Sequence, residues 1–261
     1  MAKTEFAIAY RDKMFPDFVS PTSRQDPELD DIIANFAFDE VIREEGKNVS
    51  AHDRLLAILA SLMGCGGLDE FELILPGALN IGIEPAEIKE MVYQAVPYVG
   101  IGAIRCFLKV VNRAFDIRGI SCGDSPRGTV TAESRLEKGQ EAQLAIFGEE
   151  MRDFYKSGPE ETRHINRWIT TNCFGDYYTR KGLSLRNREM VTLCVLMGMG
   201  CAQHQLEAHV RGNLNMGVDK TYLISIVSQC LPYIGYPRAL NALYAVEVGA
   251  KAYAEKQANK E

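Results

Sequence analysis

Apolar residues recur at steps of three and four along most of this chain, the period of helices that each bury one face. No stretch alternates apolar and polar residues for long enough to need a sheet. Residues 1–30 are polar and hold Pro16, Pro21 and Pro27, which predicts a short helix followed by a loop. From Pro27 a helical period runs through Leu29, Ile32, Ile33, Phe36 and Val41, behind first-turn acids that suit a helix N-terminus. Ser50 or Asp53 then caps a strongly apolar helix that closes at Gly64-Cys65-Gly66-Gly67. A helix is expected from Asp69 to Asn80, stopping at Gly82, and another opens at Pro85, a residue suited to a first turn. Pro97 and Gly100 punctuate it before the pattern resumes through Phe107 to Phe115. A long pattern through Glu137, Leu144, Ile146 and Met151, and a further helix around Trp168 to Tyr178, lead into an apolar run that ends at Gly200-Cys201.

The pattern is written twice. At a constant offset of 135, Glu72, Gly77, Leu79, Asn80, Gly82, Gln94, Pro97, Tyr98 and Gly100 match Glu207, Gly212, Leu214, Asn215, Gly217, Gln229, Pro232, Tyr233 and Gly235. The matched glycines and prolines fall at predicted helix ends, so the halves share punctuation as well as apolar content. A repeat of this length is a duplicated all-α domain and not a solenoid. Residues 117–131 carry three glycines and a proline without periodicity. The expected organisation is therefore an N-terminal domain over 1–119, a linker over 120–131 and a C-terminal domain over 132–261.

With 46% hydrophobic and 25% charged residues, the chain can bury a substantial core. A net charge of −6 argues against nucleic acid or an anionic membrane as main partner, while leaving room for a small anionic substrate in a local arginine pocket. No signal-like run opens the sequence, and none of its segments approaches the roughly 20 apolar residues of a membrane span. Seven irregularly spaced cysteines do not read as a disulfide framework, so a reducing cytoplasm is expected.

Candidate chemistry concentrates in Arg188–Asn215, which holds two of the four histidines and two of the cysteines. The copies differ there: His209 answers to Ile74, Arg211 to Pro76 and His204 to Asp69. The C-terminal copy therefore carries ionisable groups that the N-terminal copy lacks. His209 reads either as a satisfied core histidine or as an acid–base group bracketed by Glu207, Arg211 and Cys201. Glu207 and Arg211 stand four residues apart, where they can pair on the helix surface. Arg211 lies about 160° around the barrel from His209, so one pocket holds both only if it wraps the helix or a second chain contributes. Cys201 precedes a helix N-terminus, a place that favours a thiolate, but there is no C-x-x-C. Cys201, His204 and His209 lack the spacing of a structural zinc site, and no metal is expected.

Three segments resemble the carboxymuconolactone decarboxylase family, which includes the alkylhydroperoxidase D-type proteins. They are N-C-F-G-D-Y-Y-T-R-K-G-L-S-L-R-N-R-E-M-V-T-L (172–193), L-E-A-H-V-R-G-N-L-N-M-G-V (206–218) and S-Q-C-L-P-Y-I-G-Y-P-R-A-L-N-A-L (228–243). The match covers nearly all of 138–249 and, more weakly, 28–115, so the chain resembles a fused pair of family domains. The resemblance implies an all-helical fold, and a homotrimer that fills the six-membered ring of the single-domain members. It implies either decarboxylation of a carboxylated lactone without a cofactor, or peroxide and disulfide reduction by a C-x-x-C with a nearby Glu and His; a non-catalytic assembly protein on the same scaffold is a third alternative. Carried across by position, His209 matches the family histidine, Asp176 the decarboxylases' carboxylate, and Glu189 and Cys201 the redox members' Glu and first Cys. His204 stands where the redox members have their second Cys. The expected roles are His209 as proton donor, Arg211 as substrate-carboxylate ligand, and Asp176 or Glu189 as the acid that sets the imidazole.

Overall fold

A computed structural model describes residues 2–16, 19–121 and 126–258. Among them there is no strand, and the chain is a set of packed helices. The first copy holds α1 (Glu5–Met14), α2 (Pro27–Asn35), a π-helical turn (Phe36–Glu40), α3 (Val41–Glu45), α4 (Ala51–Cys65), α5 (Leu68–Asn80) and α6 (Pro85–Ile117). The second holds α7 (Arg135–Phe147), α8 (Arg163–Trp168), a π-helical segment (Ile169–Tyr178), α9 (Leu185–Met199), α10 (Gln203–Asn215), α11 (Lys220–Ile234) and α12 (Tyr236–Ala258). The expected linker falls between α6 and α7, with 122–125, and Cys122 among them, outside the described residues.

Local chemistry repeats along with the helices. Ser50 caps α4 by accepting from the Asp53 N–H, and Ser184 caps α9 by accepting from the Asn187 N–H. Gly66 and Gly200 close those helices in the left-handed region, φ 75° and 71°. These pairs are 134 residues apart, whereas the later ones are 135 apart, so the second copy has gained one residue in the loop after Gly200. In this earlier register Leu55 is the counterpart of Glu189, and Arg54 that of Arg188.

The two copies share one core. α4 and α9 are buried along almost their whole length and cross where Gly64 meets Gly198. A Cβ on Gly64 would stand 2.2 Å from the Val195 carbonyl oxygen, and one on Gly198 2.2 Å from that of Ser61. The contacts are reciprocal because an approximate two-fold axis passes between equivalent positions. Around it, α6 packs on α9 as well as on α4, and α11 packs on α4. Each copy therefore lends a helix to the other.

α6 bends at Gly100, whose φ of 80° and ψ of 160° are matched by Gly235 between α11 and α12, φ 80° and ψ 159°. Carried across that bend, α6 is long and apolar enough, by length and composition, to cross a bilayer. The expectation that no segment approaches such a span is corrected in this respect. The inner face of α6 nevertheless carries Glu90 and Gln94, both fully buried and bonded to α9.

Candidate active site

Glu189, on the second turn of α9, is completely buried. Its Oε2 lies 2.8 Å from Nδ1 of His209 on α10, which is 6% exposed. Gly212 permits this approach: a Cβ there would lie 2.3 Å from Glu189 Oε2. Asn213 ties the two helices together by donating to the backbone carbonyls of Glu189 at 3.0 Å and His209 at 2.8 Å. A carboxylate can only accept, so Nδ1 carries the imidazole proton in this pair. Among the described residues Nε2 has no hydrogen-bond partner, and it is not one of the fully enclosed polar atoms.

Glu189 is held from its other side as well. Tyr178, at the end of the π-helical segment, donates to Oε1 at 2.8 Å. The segment reaches that depth because it lies directly on α7: a Cβ on Gly139 would be 1.9 Å from the Thr170 oxygen, and one on Gly175 2.4 Å from the Arg135 oxygen. The Tyr178 hydroxyl is 2.8 Å from that of Tyr98 and 3.0 Å from that of Thr192. Tyr98 belongs to α6, and so does Gln94, which donates to Thr192 at 3.1 Å. The Tyr98 and Phe147 rings stand edge-on to the imidazole, with centroids at 5.7 and 5.4 Å. Deeper still, Arg188 donates to Gln94 and Glu90 at 3.0 Å each, and Arg180 grips Glu90 with both Nε and an Nη. Burial pushes the Tyr98 and Tyr178 phenols well above their ordinary range and the Cys173 thiol, beside Tyr98, up to about 12.

Of the residues singled out in the sequence, the structure brings together Glu189 and His209. It does not bring the others to them. Asp176 faces away on the π-helical segment, paired with Arg135 and accepting from Asn172 at 2.9 Å. Of the two acids expected to set the imidazole, Asp176 is thereby corrected, because Glu189 makes the hydrogen bond that the role requires. Cys201 and His204 are exposed on the loop before α10 and its first turn. Among the described residues, no group of His, Cys, Asp or Glu side chains is arranged to hold a metal. Arg211 is partly exposed and without a partner among the described residues, while Glu207 accepts from Gln203 at 3.1 Å instead of pairing with it.

The residues that sequence reasoning missed are Tyr178, Thr192, Gln94 and Tyr98. Thr192 is three residues beyond Glu189, on the same helix face, and was readable from spacing alone. Gln94 and Tyr98 are four apart on α6 and visible as repeated positions. Nothing linear connects them to His209, because they arrive from the other copy.

The fold is a duplicated helical one, with a buried Glu–His pair braced by one tyrosine from each copy. The chain belongs to the carboxymuconolactone decarboxylase family, whose model matches residues 27–113 and again 164–248. It is similar to a 4-carboxymuconolactone decarboxylase of Acinetobacter baylyi, 27% identical over 116 residues, which is 44% of this chain and 86% of that protein.

Proposed function

We propose that this protein is a carboxy-lyase that removes CO₂ from a small carboxylated γ-lactone, with His209 as its acid–base group. The observation that carries the reading is the buried His209–Glu189 pair, which leaves Nε2 as the one ring nitrogen open to a substrate. In the reaction the bond to the carboxylate carbon breaks, and its electron pair passes into the unsaturated lactone as a dienolate. His209 Nε2–H then delivers a proton to carbon, and solvent restores the imidazolium, which Glu189 stabilises. The lactone itself is the electron sink, so the balance closes without a redox partner or added cofactor. Arg211, without a partner among the described residues, holds a second carboxylate of a dianionic substrate in a pocket that wraps α10 or is completed by a second chain. The relative's printed name supports this substrate class.

The thiol reading has less behind it. Cys201 is exposed and, among the described residues, has no hydrogen-bond partner. Turnover of 4-carboxymuconolactone by His209→Ala is the deciding measurement. A fall of at least ~100-fold in kcat is expected from loss of the general acid, and wild-type turnover in that variant would end the proposal.

The same proposal includes assembly as a homotrimer. Ile32, Ile33 and Tyr236 line one shallow surface cavity, and Leu240 and Tyr244 continue it along α12, all of them about half exposed or more. Such a face is suited to burial between copies. Sedimentation equilibrium is expected to return three times the 29.1 kDa chain mass, and Tyr244→Glu to lower it.

A further inference from the structure

This inference rests on the acid–base reading of His209. The hydroxyl protons around Glu189 can be assigned by elimination. Glu189 as a carboxylate only accepts, so Tyr178 directs its one proton to Oε1. The hydroxyls of Tyr98 at 2.8 Å and Thr192 at 3.0 Å flank the Tyr178 oxygen and also bond each other, so at least one of them donates to Tyr178 and the other reaches it directly or through its neighbour. Thr192 in turn accepts from Gln94 Nε2 at 3.1 Å. Gln94 cannot turn over, because its Oε1 accepts at 3.0 Å from Arg188, which has only donors. Tyr98 accepts from the Cys173 thiol at 3.8 Å. The protons therefore run inward to Glu189 through Tyr178, by way of Gln94 and Tyr98 of α6.

The reciprocal positions show that these residue types do not by themselves make a site. Gln229, the counterpart of Gln94, donates to the Val41 carbonyl at 3.0 Å. Leu55 and Ile74 stand where Glu189 and His209 would be. The network has a recipient only in the C-terminal copy, yet two of its members belong to the N-terminal one.

We propose that Gln94 and Tyr98 of the N-terminal copy are positioning residues for His209. They hold Tyr178 as a one-directional donor to Glu189 and thereby set how strongly that carboxylate holds the imidazole Nδ1 proton. Each donor that reaches Glu189, directly or through Tyr178, disperses its negative charge. Removing a donor returns that charge to the Nδ1–H···O bond and favours the imidazolium. The copy without a histidine is thus a working part of the site.

The test uses the full chain, with Tyr98→Phe and Thr192→Val each deleting one branch. Two readouts are followed: the Nδ1 proton resonance of His209, identified by its loss in His209→Ala, and the pH–rate profile on 4-carboxymuconolactone. In both variants the resonance is expected to move downfield and the profile to shift to higher pH by about 0.1–0.3 unit, the cooperative share of one hydrogen bond that reaches Glu189 only through Tyr178. Tyr222→Phe, which loses a hydroxyl bonded to Asp53 and not to this network, is expected to move neither. If both variants keep the wild-type helical circular dichroism, resonance and profile, the proposal is overturned; should Tyr98→Phe not fold, Thr192→Val decides. A wild-type protein without lactone turnover would end the proposed function, while the resonance would still decide the positioning role.

Discussion

Gly212 leaves the room in which Glu189 Oε2 reaches the face of α10. Gly212→Ala places a methyl 2.3 Å from that oxygen and 3.0 Å from Ile146 Cγ2, so the carboxylate must swing off Nδ1. We expect unfolding free energy to fall by ~1–3 kcal/mol and kcat to fall well beyond what that destabilisation explains, both measured on one preparation by urea titration and steady-state assay. Asp176 gives the contrasting case. It is partly exposed and tied to Arg135 and Asn172, so Asp176→Asn should stay within about twofold of wild-type turnover, the usual range of a surface change. Loss of activity on that substitution would return Asp176 to the site. At this scale the family resemblance offered Asp176 or Glu189 as the acid for His209. It could not rank Asp176 below Glu189, because which carboxylate faces the imidazole is decided by how three helices meet.

Among the elements, α4 and α9 carry the architecture. Their contact at Gly64 and Gly198 has no room for a side chain on either face, since what a Cβ would meet is a backbone carbonyl and not a movable side chain. Gly64→Ala or Gly198→Ala must therefore push the helices apart, at a cost of about 1–3 kcal/mol or more, read as a lower midpoint in chemical denaturation. The two substitutions should act with similar size because the contacts are reciprocal. The helices were legible in advance from their period and their glycine stops, and α4 also from a cap expected at Ser50 or Asp53. Less legible were the π-helical segment over Ile169–Tyr178 and the continuous run of α6 through Gly100. A π-helical turn leaves no distinct apolar period, and a glycine in sequence does not say whether the chain reverses or merely bends.

For the whole molecule, a polar clasp joins the two copies near their approximate axis. His52 lies 3.1 Å from Asp53 and 2.9 Å from Glu87, Asn187 donates to Glu87 at 3.1 Å, and Asp53 accepts from Arg186 at 3.1 Å and Tyr222 at 2.7 Å. The bonds to Asp53 and Glu87 raise His52 to about 9 against burial. Burial works against Asp53, but hydrogen bonds from His52 and Tyr222 and the Arg186 charge outweigh it and lower Asp53 to about 2. A raised histidine contributes fully below its unfolded value near 6.5 and loses that contribution as pH rises to about 9. A depressed aspartate contributes above 3.8 and loses it as pH falls to about 2. Thermal stability should therefore be greatest between roughly pH 4 and 6.5 as far as these groups set it. Because His52 is about a third exposed, its share is of the order of 1 kcal/mol after solvent screening. In a melting series from about pH 6 to 9.5, spanning the ordinary and raised values of His52, His52→Gln should flatten the alkaline decline; an unchanged slope would remove the clasp from the account.

By itself the sequence determined the helical class, the duplication, the family resemblance and the copy that holds the ionisable groups. All of these are written in local spacing, in turn residues and in the comparison of one half with the other. Only the tertiary structure decided that Glu189 and not Asp176 meets His209, and that Tyr98 and Gln94 reach the site from the opposite copy. The first depends on how α9, α10 and the π-helical segment meet and the second on a helix lent across a shared core, and contacts between segments so far apart in the chain leave no periodic trace along it.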